Sequence, residues 1–524
     1  MSTTASGAAA PPAGTAARLV RWWPLAALTL LAAVLRLSTL DLQSFWYDEA
    51  FTPVYVLHAS LWATLRSVAR TENSPPLWYV LEWLDSRVLG TGEVALRLPS
   101  ALAGIATVPV AWAIGRELAT RRAALLCAAI VAVNPLFVWY SQEARVYALF
   151  VLTAAVAMLC FVRADREPTP TRMGAFALSG SVALVTHYFA VFMLIPMVLW
   201  LAREPLRRRR ALPAIVALAL VGVALLPLIV AQGGHGTQWI GRWPLSERLQ
   251  AIPQYYLTGY TGASLGHGVE LLVAVAILAG AGLGLWRLTE PSAATAGAPA
   301  GADGEDGSEG EGPAPRRRER RGALVAGVVA AAAILTPIVL AVLGADYLAP
   351  RNLVAAMIPV TAVIAVLVLT PASARAGAAI AVTIVLAFLL LTIDVDLSPR
   401  LQRGDWRGLA RVLGGGGATR AITTVELGGA PLQYYVPGLR LLHSGQTVLV
   451  SEIDETGYPP LRATAGEPPA PGFHLLARVS VHGLVVYRFR SPVLRRVSEA
   501  TLRRHVITLA HPEVLVPGNA RVSA

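Results

Sequence analysis

The sequence predicts an α-helical polytopic membrane protein that carries a small α/β domain at its C-terminal end. Of the 524 residues, 55% are hydrophobic and only 15% are charged, and the mean hydropathy is +0.56. A chain of this composition has more apolar surface than one aqueous core can bury. Apolar runs that approach or exceed the roughly 20 residues needed to cross a bilayer recur up to about residue 395.

Eleven apolar segments are predicted to span the membrane. They lie at 22–40, 98–116, 123–141, 145–162, 174–187, 188–202, 211–231, 268–287, 323–343, 353–370 and 376–394. Arginine clusters fall in alternate loops, and positively charged loops stay on the cytoplasmic side. Two helices in 174–202 keep this alternation, whereas one long helix breaks it. We therefore expect an inner or plasma membrane protein with its N-terminus inside and its C-terminus outside.

The interruptions of the apolar pattern divide the chain into three parts. A cytoplasmic tail (1–21) precedes the membrane domain (22–395), and an external α/β domain (396–524) follows. The first external loop, 41–97, is long and rich in Trp, Tyr and Pro, which predicts short helices at the membrane interface. Loop 289–321 contains Gly, Ala, Pro and acidic residues before a basic block, and we expect it to be disordered.

Local patterns support the α/β assignment of the last part. DWRGLARVL (405–413) predicts a helix, and strands are predicted at AITTVEL (421–427), QTVLVSEI (446–453) and GLVVYRFR (483–490). The net charge of +12 comes from arginines at loop ends and in this domain. Because that distribution is typical of membrane topology, the expected partner is the bilayer and no nucleic acid.

An acidic pair follows the first predicted span, on the external side. Asp48 and Glu49 lie in SFWYDEAFT (44–52), among aromatic residues that include Trp46 and Tyr47. Adjacent helical residues point about 100° apart, so at most one of these carboxylates reaches a given substrate proton. Aromatic neighbours desolvate a carboxylate and raise its pKa toward that of a general base. The alternatives are solvated surface acid and an interfacial aromatic belt.

A second polar cluster lies at the outer turn between the third and fourth spans. NPLFVWYSQEARVYAL (134–149) places Glu143, Arg145 and Tyr147 at the mouth of an apolar hairpin. One interpretation is a Glu143–Arg145 ion pair that closes the turn. The other is that Arg145 binds an anionic ligand, because a guanidinium matches phosphate oxygens bidentately.

Two more external features fit an anion site. His187 lies in THY at the tip of the short hairpin, and Arg351 lies in LAPRNL at the start of the tenth span. A hydrogen-bonded interfacial histidine and a snorkelling arginine are the alternatives. Together with Arg145 and the acidic pair, these residues predict a pocket that holds a phosphate with its charge compensated.

These motifs carry a resemblance to a known family. WYDEAF, PPLWY (75–79), GEVALRLPSALAGIATVPV (92–110), WYSQEARVYAL (139–149), THY and PRNL resemble the GT-C superfamily of membrane glycosyltransferases. The similarity is to the bacterial branch related to protein O-mannosyltransferases and the lipid A aminoarabinose transferase. It covers about residues 22–395, and DWRGLA resembles the start of the external domain of such proteins.

The resemblance implies a reaction and roles for residues. Family members move a sugar, here mannose or another hexose or pentose, from a polyprenyl-phosphate donor to a lipid, glycan or protein acceptor, usually with inversion. It implies that Asp48 is the general base and that Glu49 contacts a substrate, with the two roles exchangeable. Phosphate and lipid contacts would come from Arg145, Arg351, His187 and Tyr147, and substrate contacts from Trp46, Tyr47, Trp78, Tyr79, Tyr140 and Glu143.

The sequence departs from the family at one position. Many relatives have His before the paired prolines, but Ser74 stands there in NSPP, so Glu72 or Asn73 would have to replace it. No His, Cys and Asp set has metal-ligand spacing, so no cofactor is assigned and a divalent cation stays open.

Two other classes of protein compete with a transferase. A transporter or flippase of a lipid-linked sugar would place charges near the membrane midplane, and Arg36 in the first span is the residue that fits it. A non-catalytic lipid-sugar-binding subunit would keep the fold without the acid, and Asp48 argues against it.

Overall fold

The computed structural model describes residues 13–523 apart from 236, 260–264, 290–312, 371–373, 416, 418, 506 and 509–510. Helices dominate the chain before residue 398. They are α1 (Ala13–Leu37), α2 (Tyr47–Phe51), α3 (Leu61–Thr71), α4 (Leu77–Leu89), α5 (Glu93–Leu118), α6 (Arg121–Val133), α7 (Pro135–Ser141), α8 (Tyr147–Arg166), α9 (Pro170–Thr186), α10 (Ala190–Ala202), α11 (Pro205–Gln232), α12 (Gln238–Arg242), α13 (Leu245–Thr258), α14 (His267–Thr289), α15 (Pro313–Val342), α16 (Met357–Val368) and α17 (Ala374–Leu397).

The helices form a multi-pass membrane protein. Among the described residues, seven helices are long and apolar enough to cross a bilayer, or eight if the bent pair α6 and α7 is one span. Trp22–Leu37 of α1 and the whole of α10 are shorter apolar helices. All eleven predicted segments lie on helices, and the two-helix interpretation of 174–202 is confirmed, because α9 ends at Thr186 and α10 begins at Ala190.

Two boundaries differ from the prediction. Residues 13–21, assigned to the tail, form the first turns of α1, and residues 313–321, assigned to a disordered loop, open α15. Ala and Arg in 13–21 and Arg in 313–321 favour helix, and Pro313 takes the first helical position, where its missing N–H is not needed. Residues 1–12 and 290–312, which the same two predictions cover, lie outside the described residues.

A buried arginine stabilises the bend of 54° between α6 and α7. Pro135 at the start of α7 has no N–H, so carbonyl groups at the end of α6 lose helical partners. Arg36 of α1 is fully buried and donates to the carbonyl oxygens of Val131 and Ala132 at 2.9 and 2.8 Å. Arg36, the residue that fitted a transporter, thus donates hydrogen bonds to backbone carbonyl groups at this bend.

The C-terminal part is a mixed sheet with short helices. Its elements are α18 (Trp406–Leu413), β1 (Arg420–Thr424), α19 (Gly429–Tyr435), β2 (Leu439–Leu441), β3 (Thr447–Gly457), β4 (His474–Val481), β5 (Leu484–Ser498), α20 (Glu499–Arg504), β6 (Glu513–Pro517) and β7 (Val522–Ser523). The strand order is β2-β6-β1-β3-β5-β4, with β7 beside β3, and only β1 and β3 pair in parallel among the described strands. The predicted helix and three predicted strands are confirmed.

This α/β domain holds the segment that leads into α2. Ser44 Oγ donates to the Gly404 carbonyl at 3.2 Å and accepts from the Trp406 N–H at 2.9 Å. Tyr435 of α19 accepts a hydrogen bond from the Phe45 N–H at 2.7 Å. The position of α2 therefore depends on the α/β domain as well as on the membrane helices.

Candidate active site

A cavity of about 1220 Å³ lies where the membrane helices meet the α/β domain. One part of its wall is polar and includes Asp48, Glu72, Asn73, Arg145 and Arg351. The opposite part is apolar and comes from the ends of α10, α11 and α15, with Phe192, Ile229 and Leu340. The α/β domain contributes Glu426, Leu427 and Tyr458. The cavity can thus accommodate a ligand with a charged head and an apolar tail.

Asp48 faces this cavity and is paired with Arg351. Arg351 Nη1 lies 2.7 Å from Asp48 Oδ2, and the two side chains are 23% and 16% exposed. The Arg351 guanidinium also lies over the ring of Trp239, 4.8 Å from its centroid. Burial alone would raise the pKa of Asp48, but the charges of Arg351 and Arg145 outweigh it and hold this pKa below its usual value. Asp48 is therefore an ionised carboxylate beside a cation.

Glu49 points away from the cavity, into the protein. Arg97 of α5 binds its two carboxylate oxygens at 2.7 and 2.8 Å, Arg403 Nη1 lies at 3.0 Å, and the Ala144 N–H donates at 2.9 Å. Burial tends to raise the pKa of Glu49, but Arg97 and Arg403 keep it below its usual value. Glu49 is fully buried, so the expected substrate contact is not what the structure shows. Its neighbour Asp48 takes the cavity side of α2, as the 100° rotation between adjacent helical residues requires.

Arg403, which lies in the α/β domain just before α18, joins Glu49 to Glu143. Its Nη2 lies 2.6 Å from Glu143 Oε2, and the guanidinium lies 4.5 and 5.0 Å from the ring centroids of Trp139 and Trp46. Burial raises the pKa of Glu143 to about 7, against the opposing effect of Arg403. Glu143 does not line the cavity, so its predicted substrate contact is replaced by this ion pair.

Arg145 lines the cavity and is held by an acid other than Glu143. Its Nη2 lies 3.3 Å from Glu72 Oε2, which also accepts the Tyr79 hydroxyl at 2.5 Å. The ion pair between Glu143 and Arg145 that would close the turn is therefore not formed, because each residue pairs with a distant partner. Arg145 is left with its charge beside the cavity, 3.5 Å from the Asp48 carbonyl oxygen.

His187 lines the cavity as a neutral side chain. Burial, followed by the charges of Arg351 and Arg145, lowers its pKa to about 3. Its Nδ1 accepts a hydrogen bond from the Phe189 N–H at 3.2 Å, and its ring stacks on Phe150 at 4.4 Å. The neutral ring therefore carries its proton on Nε2, where it can donate to a ligand.

The structure brings together seven of the twelve predicted site residues on the cavity wall. They are Trp46, Tyr47, Asp48, Arg145, Tyr147, His187 and Arg351. The other five lie behind the wall and are Glu49, Trp78, Tyr79, Tyr140 and Glu143. Tyr140 packs on Tyr147 at 4.8 Å between centroids, and Trp78 and Tyr79 are almost completely buried, so these aromatic residues support the wall.

Several residues of the site escaped the sequence analysis. Arg97 pairs with Glu49, Arg403 pairs with Glu49 and Glu143, and Trp239 stacks on Arg351. Arg97 could have been identified from the sequence, because a charged residue within an apolar helix needs a buried partner. No sequence pattern indicated a role for Arg403, because it lies in a polar segment and its partners depend on the tertiary fold.

Four carboxylates around α2 form ion pairs with four guanidinium groups. The carboxylates are Asp48, Glu49, Glu72 and Glu143, and the guanidinium groups that pair with them belong to Arg97, Arg145, Arg351 and Arg403. A phosphate can therefore enter beside Arg145 and Arg351 by competing with a carboxylate. Among the residues that the structure describes, no three His, Cys, Asp or Glu side chains gather as a metal site.

Known proteins share this architecture. Residues 73–231 match the family described as dolichyl-phosphate-mannose-protein mannosyltransferase. The crystal structure of ArnT from Cupriavidus metallidurans bound to undecaprenyl phosphate has a TM-score of 0.51 and 13% identity, over 89% of this chain and 98% of ArnT. The apo state of the same ArnT has a TM-score of 0.50, with 13% identity over 91% of this chain and 98% of ArnT.

The match to a curated relative covers a smaller part of the chain. YkcB of Bacillus subtilis (strain 168), provisionally named a mannosyltransferase, is 22% identical over 218 residues. That match covers 39% of this chain and 30% of YkcB, so the chain spans less than a third of the relative. The helical fold, the cavity and the small sheet domain define a polytopic membrane protein whose fold is similar to that of ArnT. Residues 73–231 are thus similar to this mannosyltransferase family, and the whole chain is similar in fold to ArnT.

Proposed function

We propose that the protein transfers a sugar from a polyprenyl-phosphate donor to an acceptor hydroxyl at the outer face of a bacterial inner or plasma membrane. The observation that carries this proposal is the Asp48–Arg351 pair on the wall of a cavity with both a cationic and an apolar side. A base, phosphate-binding cations and a surface for a lipid chain are the groups that such a reaction requires.

Asp48 is the general base. The acceptor oxygen attacks the anomeric carbon while its proton passes to Asp48, and the bond from that carbon to the phosphate oxygen breaks. The electron pair of this bond leaves with the polyprenyl phosphate, so the anomeric configuration inverts. Phosphate is a good leaving group, so the reaction needs no dedicated acid.

Arg351 and Arg145 bind the donor phosphate, and His187 donates a further hydrogen bond from Nε2. Arg351 is bound to Asp48 before the donor enters, at 2.7 Å. A phosphate oxygen that takes over part of this guanidinium weakens its hold on Asp48. The pKa of Asp48 then rises from its lowered value, which makes this carboxylate a stronger base when the donor is in place.

The cavity walls suggest where the rest of each substrate lies. The polyprenyl chain follows the apolar side made by α10, α11 and α15, because such a chain cannot leave the bilayer without exposing its surface. The acceptor enters on the side of Glu426 and Tyr458, which the α/β domain supplies. Many sugars and a lipid, glycan or protein acceptor satisfy this arrangement.

A transfer assay tests the proposal. Wild-type protein in nanodiscs is incubated with a panel of radiolabelled polyprenyl-phosphate sugars and membrane extract, and label is followed from the donor to other molecules. Transfer of one sugar supports the proposal and names the donor. In sealed proteoliposomes, movement of intact donor across the bilayer without cleavage would instead assign the protein to the flippase class.

A further inference from the structure

A second cavity, of about 300 Å³, lies at the other end of the membrane helices. Helix α5 connects the two regions: Glu93 at its start pairs with Arg407 of the α/β domain, and Leu118 at its end lines the second cavity. Its 26 residues correspond to about 39 Å of helix, more than the thickness of the hydrocarbon layer. The second cavity therefore opens on the membrane face opposite the active site.

Arginines outnumber carboxylates in this cavity. Its polar lining consists of Arg166, Arg317, Arg318 and Arg321 with Glu117 and Asp165. Both carboxylates are also shared with arginines outside the cavity. Arg163 contacts Glu117 at 3.0 Å, and Arg207 contacts Asp165 at 2.6 Å.

Arg166 and Arg321 pair with the two carboxylates, so Arg317 and Arg318 carry the excess charge. Arg317 and Arg318 are exposed. Arg318 Nη2 donates to carbonyl oxygens at the end of α5, those of Arg116 and, at 3.4 Å, Glu117. Carbonyl oxygens carry only partial charge, so the guanidinium keeps the capacity to bind an anion.

The floor of the cavity is apolar and tightly packed. Leu118, Val162 and Val325 line it, and a Cβ on Gly322 would meet the Leu118 carbonyl oxygen at 2.3 Å. This glycine lets α15 approach the end of α5 closely enough to close the floor. A cationic rim over an apolar floor, at the level of the membrane interface, matches a lipid headgroup with its acyl chains.

We propose that this cavity binds the phosphate of an anionic lipid headgroup, with Arg317 and Arg318 as its principal contacts. Guanidinium groups bind phosphate diesters through charge-assisted hydrogen bonds. The site does not depend on the transfer reaction, because no residue of its lining belongs to the active-site cavity. It anchors the helix ends of α5, α8 and α15 to the leaflet opposite the catalytic side.

Native mass spectrometry of the full chain in detergent tests this site, with phosphatidylglycerol and phosphatidylcholine titrated separately. We expect tighter binding of phosphatidylglycerol to the wild type. R317Q/R318Q should weaken it roughly 30-fold, from about 1 kcal/mol for each arginine near a lipid surface. The matched control R209Q/R210Q removes two exposed arginines of α11 that do not line the cavity and should leave binding unchanged.

Three results would overturn the proposal. Equal binding of the two lipids would show that the net negative charge of the headgroup is not recognised. An equal loss of phosphatidylglycerol affinity in both double variants would show that the binding depends on general surface charge and not on this cavity. Displacement of the lipid from the wild type by millimolar inorganic phosphate would assign the cavity to a soluble phosphate. Melting temperatures of both variants show that each is folded.

Discussion

Arg351 and Asp48 are 303 positions apart in the chain, and their side chains meet at 2.7 Å on the wall of the active-site cavity. The pair joins the first turn of α2 to the segment that opens α16. It leaves Arg351 able to exchange a carboxylate for a phosphate without leaving the site. In the proposed mechanism, this exchange connects donor binding to the base strength of Asp48.

Replacing Arg351 by Met should weaken binding of polyprenyl phosphate by roughly 10- to 100-fold. A hydrogen bond to a charged group contributes about 1.5–3 kcal/mol, and each 1.4 kcal/mol is a factor of ten. Fluorescence titration with undecaprenyl phosphate gives the affinity. Arg242→Met is the control, because Arg242 also lines the cavity but forms an exposed pair with Glu426. Equal losses in the two variants would contradict a specific role for Arg351.

Replacing Arg403 by Met should lower the melting temperature of the protein. The change leaves Glu49 and Glu143 without a shared cation, and breaking a buried ion pair costs about 3–5 kcal/mol. Adding Glu143→Gln should restore part of the loss, because it removes one unpaired charge. Arg411→Met, at an exposed position of α18, is the control for loss of an arginine. A melting temperature equal to that of the wild type would remove Arg403 from this role.

Glu143 should make stability fall as the pH rises from about 4.5 to about 7. Burial raises its pKa from 4.5 to about 7 in the folded protein, so within this window the folded state holds a proton that the unfolded state has lost. Folding is then favoured at the acidic end of the window. Melting curves of wild type and Glu143→Gln across this range measure the contribution as a difference. Parallel pH profiles for the two proteins would show that Glu143 does not titrate there.

Replacing Arg36 by Met should destabilise the protein and leave donor affinity unchanged. The change leaves the carbonyl groups of Val131 and Ala132 buried without this donor, at about 1–3 kcal/mol for each group. Arg36 does not line the active-site cavity. Thr29→Val, another polar-to-apolar change in α1, is the control. Lost affinity for the donor with an unchanged melting temperature would instead support a passage through the helices.

The membrane helices were predictable because apolar length and arginine placement act locally along the chain. All eleven predicted segments lie on helices. The starting residues of α1 and α15 were not predictable from hydropathy, because each helix begins before its apolar segment does. The charge of an arginine-rich stretch suggests a loop, but arginine has a high helix propensity and such a stretch can form helix.

The cavity-lining residues of the site were predictable to the extent that each lies near the end of a predicted membrane segment. Asp48, Arg145, His187 and Arg351 all line the cavity. The partners of Arg145 and Glu143 were not predictable, because Glu72 and Arg403 come from distant segments. Glu49 shows the limit clearly: one residue from Asp48, it turns inward to Arg97.

The most direct test of the central claim compares wild type, Asp48→Asn and Asp41→Asn in nanodiscs with the donor that the panel identifies. Asp41 is an exposed acid of the segment between α1 and α2. We predict that Asp48→Asn loses roughly 100- to 10,000-fold in transfer rate, the usual contribution of a general base, while it still binds polyprenyl phosphate. Asp41→Asn should retain the wild-type rate. Transfer by Asp48→Asn at the wild-type rate would contradict the assignment of Asp48 as the base.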